Sequence, residues 1–186
     1  MKKNIVYLFM ATLFIILSSC TSPYNPSVQF LPEHIKKVYV KPFENNTNQF
    51  GIEAKFTNEV IEEIVSGGRL FLVNKEEDAD GTLTVTIKRY ILQPFIYNIN
   101  NVAEQYKMWV IASASLVDND NGVTLWTEPN IEGVQIYRDI NRGPSEGDFV
   151  GDEMSEEEAR QIVWVKMSRN IVRMVADRGW SHVTNM

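Results

Sequence analysis

The chain's single cysteine, Cys20, stands at the end of an apolar run, and that placement decides what can hold the rest of the protein together. Lys2 and Lys3 form a positive opening, Ile5 to Ile16 are an apolar run of about a dozen residues, and Leu17-Ser18-Ser19-Cys20 closes it. A membrane-spanning helix needs about 20 apolar residues, so this run is too short to cross and stay. The pattern predicts a cleaved secretory signal over residues 1–19 that ends in a lipobox. Ser18 and Ser19 suit a signal peptidase, and Cys20 can then carry a diacylglyceryl thioether and further acyl chains such as palmitate. The plainer alternative is an incidental free thiol. Each buried CH₂ adds about 0.8 kcal/mol of membrane affinity, so several chains make a permanent anchor. No intramolecular disulfide is then possible. Whatever the exported body folds into must be stabilised by its own hydrophobic core.

From Cys20 onward the length suits one compact domain, and a hydrophobic fraction of 44% with 11% aromatics argues against general disorder. Without Lys2 and Lys3, 16 basic residues face 24 acidic ones, a formal charge of −8. Such a body is a poor binder of nucleic acid and of anionic membrane surface, so no nucleic-acid partner is expected and attachment falls to the lipid. Residues 20–34, with three prolines among Thr21 to Pro32, read as an extended tether that holds a single domain, residues 35–186, off the bilayer.

That domain begins with a β-rich run, Ile35 to Phe43, ended by Pro42. A polar turn, Glu44 to Asn48, leads to Ile52, Phe56, Val60 and Ile64, spaced by four on one helical face. Ile61 and Val65 are expected to widen the stripe, and Gly67-Gly68 to stop the helix. A short strand, Leu70 to Val73, follows. A strand, a helix and a strand in succession predict a crossover with the two strands parallel. Leu83, Val85 and Ile87 alternate with threonines, and the phase slips at Lys88-Arg89, which predicts a bulge before Tyr90 and Leu92. Pro94 to Val102 read as a hairpin tip. Tyr106, Met108, Val110, Ala112, Ala114 and Leu116 line one face of the return strand, and Asp118 to Gly122 is a tight turn. The last strand, Val123 to Arg138, is expected to break at Pro129 and Gly133. Asn141 to Met154 read as a loop. Ser155 and Glu158 then form a capping box for a closing helix that buries Ala159, Ile162, Val163, Met167, Ile171, Met174 and Val175 and stops at Gly179. The expected fold is α+β: two helices packed on one face of a mainly antiparallel sheet of four to five strands, a two-layer sandwich.

The residues offer little chemistry. His34 and His182 have no neighbouring histidine or cysteine, so no metal centre is expected. Asp118 to Gly122 resembles a calcium loop but has a glycine where a ligand belongs, and Pro129 stands where the bidentate acid should be. Neither a phosphate-binding glycine loop nor a G-x-S-x-G elbow occurs. No catalysis and no cofactor are expected. Two features are harder to assign to structure alone. Phe95, Ile96, Tyr97 and Ile99 place apolar side chains in an expected loop, either as a partner surface or folded back on the sheet. Lys88, Arg89, Lys107, Arg138 and Arg142 are cations in an acidic protein. They are either scattered on a solvated face or suited to lipid phosphates, which arginine binds bidentately.

The order of lipobox, Pro-rich tether, Ile35-Lys36-Lys37-Val38-Tyr39-Val40-Lys41-Pro42-Phe43-Glu44-Asn45-Asn46-Thr47 and Phe56-Thr57-Asn58-Glu59-Val60-Ile61-Glu62-Glu63 resembles the LptE family of lipopolysaccharide-assembly lipoproteins. Ala79 to Ile87 and Leu125-Trp126 look like that family's later strands. The resemblance implies an outer-membrane lipoprotein, on the periplasmic face, that plugs a large β-barrel partner, helps that barrel assemble and binds lipopolysaccharide on its way to the surface. Only Cys20 carries over residue by residue, as the lipidated position. The basic residues that contact lipopolysaccharide in relatives lie where the sequences do not align, so the five cations rest on their own chemistry. Thr21 is not the aspartate that retains some lipoproteins at the inner membrane. The start of the domain also resembles periplasmic lipoproteins that activate cell-wall synthases or assemble secretion channels, and that alternative stands beside the first.

Overall fold

The computed structural model describes residues 31–140 and 152–177. The signal, Cys20, most of the tether, Arg142 and Gly179 lie outside the described residues. Within them the chain forms β1 (Lys37–Val40), β2 (Glu44–Asn45), α1 (Ile52–Gly67), β3 (Phe71–Val73), β4 (Gly81–Tyr97), β5 (Ala103–Asp118), β6 (Thr124–Asp139), β7 (Glu153–Met154) and α2 (Glu156–Asp177). A single 3₁₀ turn, Glu76–Asp78, separates β3 from β4.

The class is α+β as expected, but the sheet has seven strands and is mixed, not four to five and mainly antiparallel. Its order is β3-β1-β4-β5-β6-β7, with β2 also paired to β4. β4, β5 and β6 are long antiparallel neighbours, whereas β1 lies parallel to both β3 and β4, and β2 and β7 each join a long strand in parallel. β2 and β7 were expected as loop. Each has only two residues, too few for any alternation to show.

The core lies between the sheet and the helices. Val38 and Val40 of β1, Leu83, Val85 and Ile87 of β4 and alternate residues of β5 from Met108 to Leu116 turn their side chains inward. Ile52, Phe56, Val60 and Ile64 of α1 meet Ala159, Val163, Trp164, Met167, Ile171 and Val175 of α2 in one cluster with them. Phe56 joins the layers: its ring stacks on Trp164 at 4.8 Å and meets Phe43 edge-on at 5.1 Å. Val65 does not widen the α1 stripe, being 61% exposed. It lies one position beyond Ile64, about 100° round the helix and off the buried face.

Local signals explain the element ends. Gly68 adopts φ 65°, the left-handed cap that stops α1. At the start of α2 the Ser155 N–H donates to Glu158 (2.7 Å) and the Glu158 N–H donates back to the Ser155 hydroxyl (3.2 Å), a reciprocal capping box. Pro129 sits where the β5–β6 register slips between Ala112 and Ala114. Gly133 does not break β6. It pairs with Val110, and a Cβ there would lie 2.6 Å from Val163 and Met167, so the missing side chain lets α2 lie close on the sheet.

Candidate functional site

The bulge at Lys88 sets up the most distinctive surface. The β4–β5 register shifts between Ile87 and Arg89, so Tyr90 and Leu92 take over the inward positions and Arg89, Ile91 and Gln93 turn to the outer face. Facing residues of the ladder then give three rows: Arg89, Ile111 and Glu132; Ile91, Trp109 and Val134; Gln93, Lys107 and Ile136. Nearer the other end of the sheet the same face is hydroxylic, with Thr84 opposite Ser115 and Thr86 opposite Ser113. An apolar band therefore replaces a polar one along a single outer surface. Trp109 is fixed at its centre. Its indole N–H donates to Glu132 at 3.2 Å, and the Lys107 ammonium lies 5.3 Å from the ring centroid.

The band runs on to the hairpin end. Pro94 to Tyr97, expected as loop, continue β4 and pair with Tyr106, Gln105 and Ala103. The turn proper is closed by Asn98, whose side-chain oxygen accepts from the Asn100 and Val102 N–H groups at 3.0 and 2.9 Å, with Asn101 at φ 58°. Phe95, Ile96 and Tyr97 are about half exposed and Ile99 is 93% exposed. Ile96 and Tyr97 are thus presented to solvent from paired positions of the ladder, Phe95 from the register shift between Pro94 and Ile96, and Ile99 from the turn.

The five cations are not gathered. Arg89 and Lys107 share the outer face, two rows apart with Ile91 and Trp109 between them. Lys88 is the bulged residue, and its ammonium donates to the Pro129 carbonyl at 2.8 Å. Arg138 is buried to 7% exposure and paired with Glu153 on β7. Arg142 lies outside the described residues.

On the helix side of β4, Tyr90 joins the layers. Its hydroxyl donates to Glu156 at 3.0 Å and accepts from the Arg160 Nε–H at 3.2 Å. Burial pushes the Tyr90 hydroxyl up to about 12 against the pull of Arg160, so it stays protonated and serves as a donor.

At the opposite end of the sheet the fold brings together residues that the sequence reading left apart. His34 Nε2 lies 3.0 Å from the Asp118 carboxylate, and Asp118 also accepts from the Asp120 N–H and the Asn121 amide, both at 2.9 Å. Ligand atoms of His34, Asp118 and Asp120 fall within 4.8 Å of one another. Both carboxylate oxygens of Asp118 are already engaged, so the geometry is that of a braced turn. Burial would raise the Asp118 pKa, but the bonds from His34, Asp120 and Asn121 outweigh it and hold the carboxyl below the ordinary aspartate range. With His34 and Asp118 84 positions apart, no spacing signal could have paired them.

The family model described as lipopolysaccharide-assembly, LptE, matches residues 35–178. The hypothetical protein CT253 from Chlamydia trachomatis superposes with a TM-score of 0.52 and 12% identity, covering 76% of this chain and 95% of that one. XCC0632 from Xanthomonas campestris gives 0.53 and 10%, covering 81% and 88%. At these identities the likeness is one of fold. Among curated proteins none matches the chain by sequence.

Proposed function

Because this chain belongs to the LptE family of lipopolysaccharide-assembly proteins, we propose that it is an outer-membrane lipoprotein, anchored through Cys20 on the periplasmic face, that plugs and helps assemble a β-barrel translocon for lipopolysaccharide. The observation that carries the barrel contact is the apolar hairpin end, Phe95, Ile96, Tyr97 and Ile99, held out where the β4–β5 ladder closes in its turn and continued by Ile91, Trp109, Val134 and Ile136. Exposed apolar surface of this kind marks a protein partner. In this reading the barrel wall covers the band, and the closing ladder keeps the side chains rigid, so little entropy is lost on docking. Arg89 and Lys107 are the pair placed to meet lipopolysaccharide phosphates, since they flank the band on its outer face. Lys88 and Arg138 are engaged within the domain and supply structure there.

The test is a mild-detergent pull-down of the lipidated protein from its own envelope, with mass spectrometry of what stays bound. A large barrel protein in near-equal amount supports the reading. A cell-wall synthase, or the protein alone, overturns it in favour of an activator or a channel-forming oligomer.

A further inference from the structure

On the helix side of the sheet, α1 and α2 end against the start of β3 and leave a cavity of about 260 Å³. Ile64 and Leu70, both buried, form its floor with the half-buried Val172, and Glu63, Arg169 and Arg173 stand at its rim. Arg69 also lines the cavity but is already engaged within the protein. The charges of Arg169 and Arg173 do no more than balance Glu63 and the roughly half a negative charge at each helix C-terminus. The opening is therefore close to neutral, and a charged ligand gains little there. It offers instead an apolar floor, one carboxylate and two guanidinium groups. Its volume falls just below the roughly 300–1,000 Å³ of small-molecule sites, so it suits one large side chain better than a free ligand.

The chain itself supplies such a side chain. Arg169, Val172, Arg173 and Ala176 reach the cavity from α2 at spacings of three and four, the rhythm of one helix face. The next step along that face falls at Gly179 and Trp180, which lie outside the described residues. Trp180 stands one helical turn beyond Ala176. If Gly179 instead stops the helix, as the sequence predicts, the residue after such a glycine packs back on the last turn. Both paths bring the indole to the same opening. We infer that Trp180 fills the cavity and that residues 178–186 act as a clasp across the ends of α1 and α2. The indole suits each part of the site. Its body covers Ile64, Leu70 and Val172, its N–H has the Glu63 carboxylate as acceptor, and its face takes the guanidinium of Arg169 or Arg173. The clasp does not depend on the barrel reading, because it uses none of the β4–β5–β6 outer face.

The test is thermal unfolding of the full chain in a neutral detergent, with Trp180→Ala, Trp180→Phe, Val172→Ala and the double variant of Trp180→Ala with Val172→Ala. Trp180→Ala should lower the melting temperature by about 4 °C or more, and Trp180→Phe by less, since a ring still covers the floor and only the N–H is lost. If the indole rests on Val172, the two alanine changes remove one contact between them. The double variant should then fall short of the summed single shifts by at least about 2 °C. Fluorescence reads the same contact without relying on stability: the emission lost in Trp180→Phe should resist quenching by acrylamide in the wild type. An unchanged melting temperature in Trp180→Ala, shifts that add in full, or free quenching of the Trp180 emission each overturns the clasp. So does a Trp180→Ala effect that appears only at high protein concentration, which would mean that a second copy supplies the indole.

Discussion

Gly133 shows how much a single missing carbon decides. Its Cα faces Val163 and Met167 across the sheet–helix interface, where an added Cβ would come within 2.6 Å of both. Met167 can swing its sulfur aside, but the β-branched Val163 has little freedom to give way. Gly133→Ala should therefore overpack the interface and destabilise the domain by about 1–3 kcal/mol, read as a fall in the urea midpoint without a change in slope. Asp118 makes a second prediction at this scale. Its folded pKa is held below the ordinary aspartate value, so the unfolded chain takes up a proton first as the solution is acidified. The stabilisation is intact above that value and is lost as pH falls through it and below. Asp80 adds in the same direction. Its carboxylate accepts from the Lys37 and Lys36 N–H groups at 2.7 and 2.8 Å, and these bonds hold its pKa down against burial. Asp118→Asn should flatten the stability-versus-pH curve below about pH 4, where the wild-type curve falls. A parallel fall in both proteins would refute that role.

At the scale of elements, the capping box is the plainest case of a local signal fixing a boundary. Ser155→Ala removes the acceptor for the Glu158 N–H and should cost about 1 kcal/mol. For a domain of this size that lowers the melting temperature by about 2–4 °C. Both helices could be read from the sequence because each repeats its apolar residues over many turns. The β4 bulge could be read because the alternation of Leu83, Val85 and Ile87 fails at Lys88 and resumes at Tyr90. The short strands could not. β2 and β7 form only because a long neighbour offers open backbone groups, at Thr86 to Ile87 and at Arg138 to Asp139. That is a tertiary cause with no local trace. The hairpin end carries the apolar side chains the sequence suggests but is strand and not loop: Pro94 ordinarily ends a strand, and here it sits beyond the β1 and β2 pairings, where β4 pairs with β5 alone among the described residues, next to a register shift.

For the whole molecule, the question is whether the exposed apolar end serves the domain or something outside it. The core is complete without it: the buried cluster reaches Met108, and Phe95, Ile96, Tyr97 and Ile99 take no part. Substitutions at exposed positions away from the core typically change stability by less than about 0.5 kcal/mol. Stability and partner binding should therefore separate cleanly in one variant. Phe95→Ser with Ile99→Ser leaves the backbone pairs of Ile96 and Tyr97 and the Asn98 turn in place, so thermal and urea unfolding should match the wild type. If the barrel wall covers this surface, the same variant should recover at least tenfold less barrel protein in the pull-down, because the contact loses two large apolar anchors. Trp109→Ser removes the anchor at the centre of the outer band and should act in the same direction. Equal recovery of the barrel by both variants would place the contact elsewhere on the molecule. A marked loss of stability in the first would mean that the hairpin end belongs to the domain's own fold.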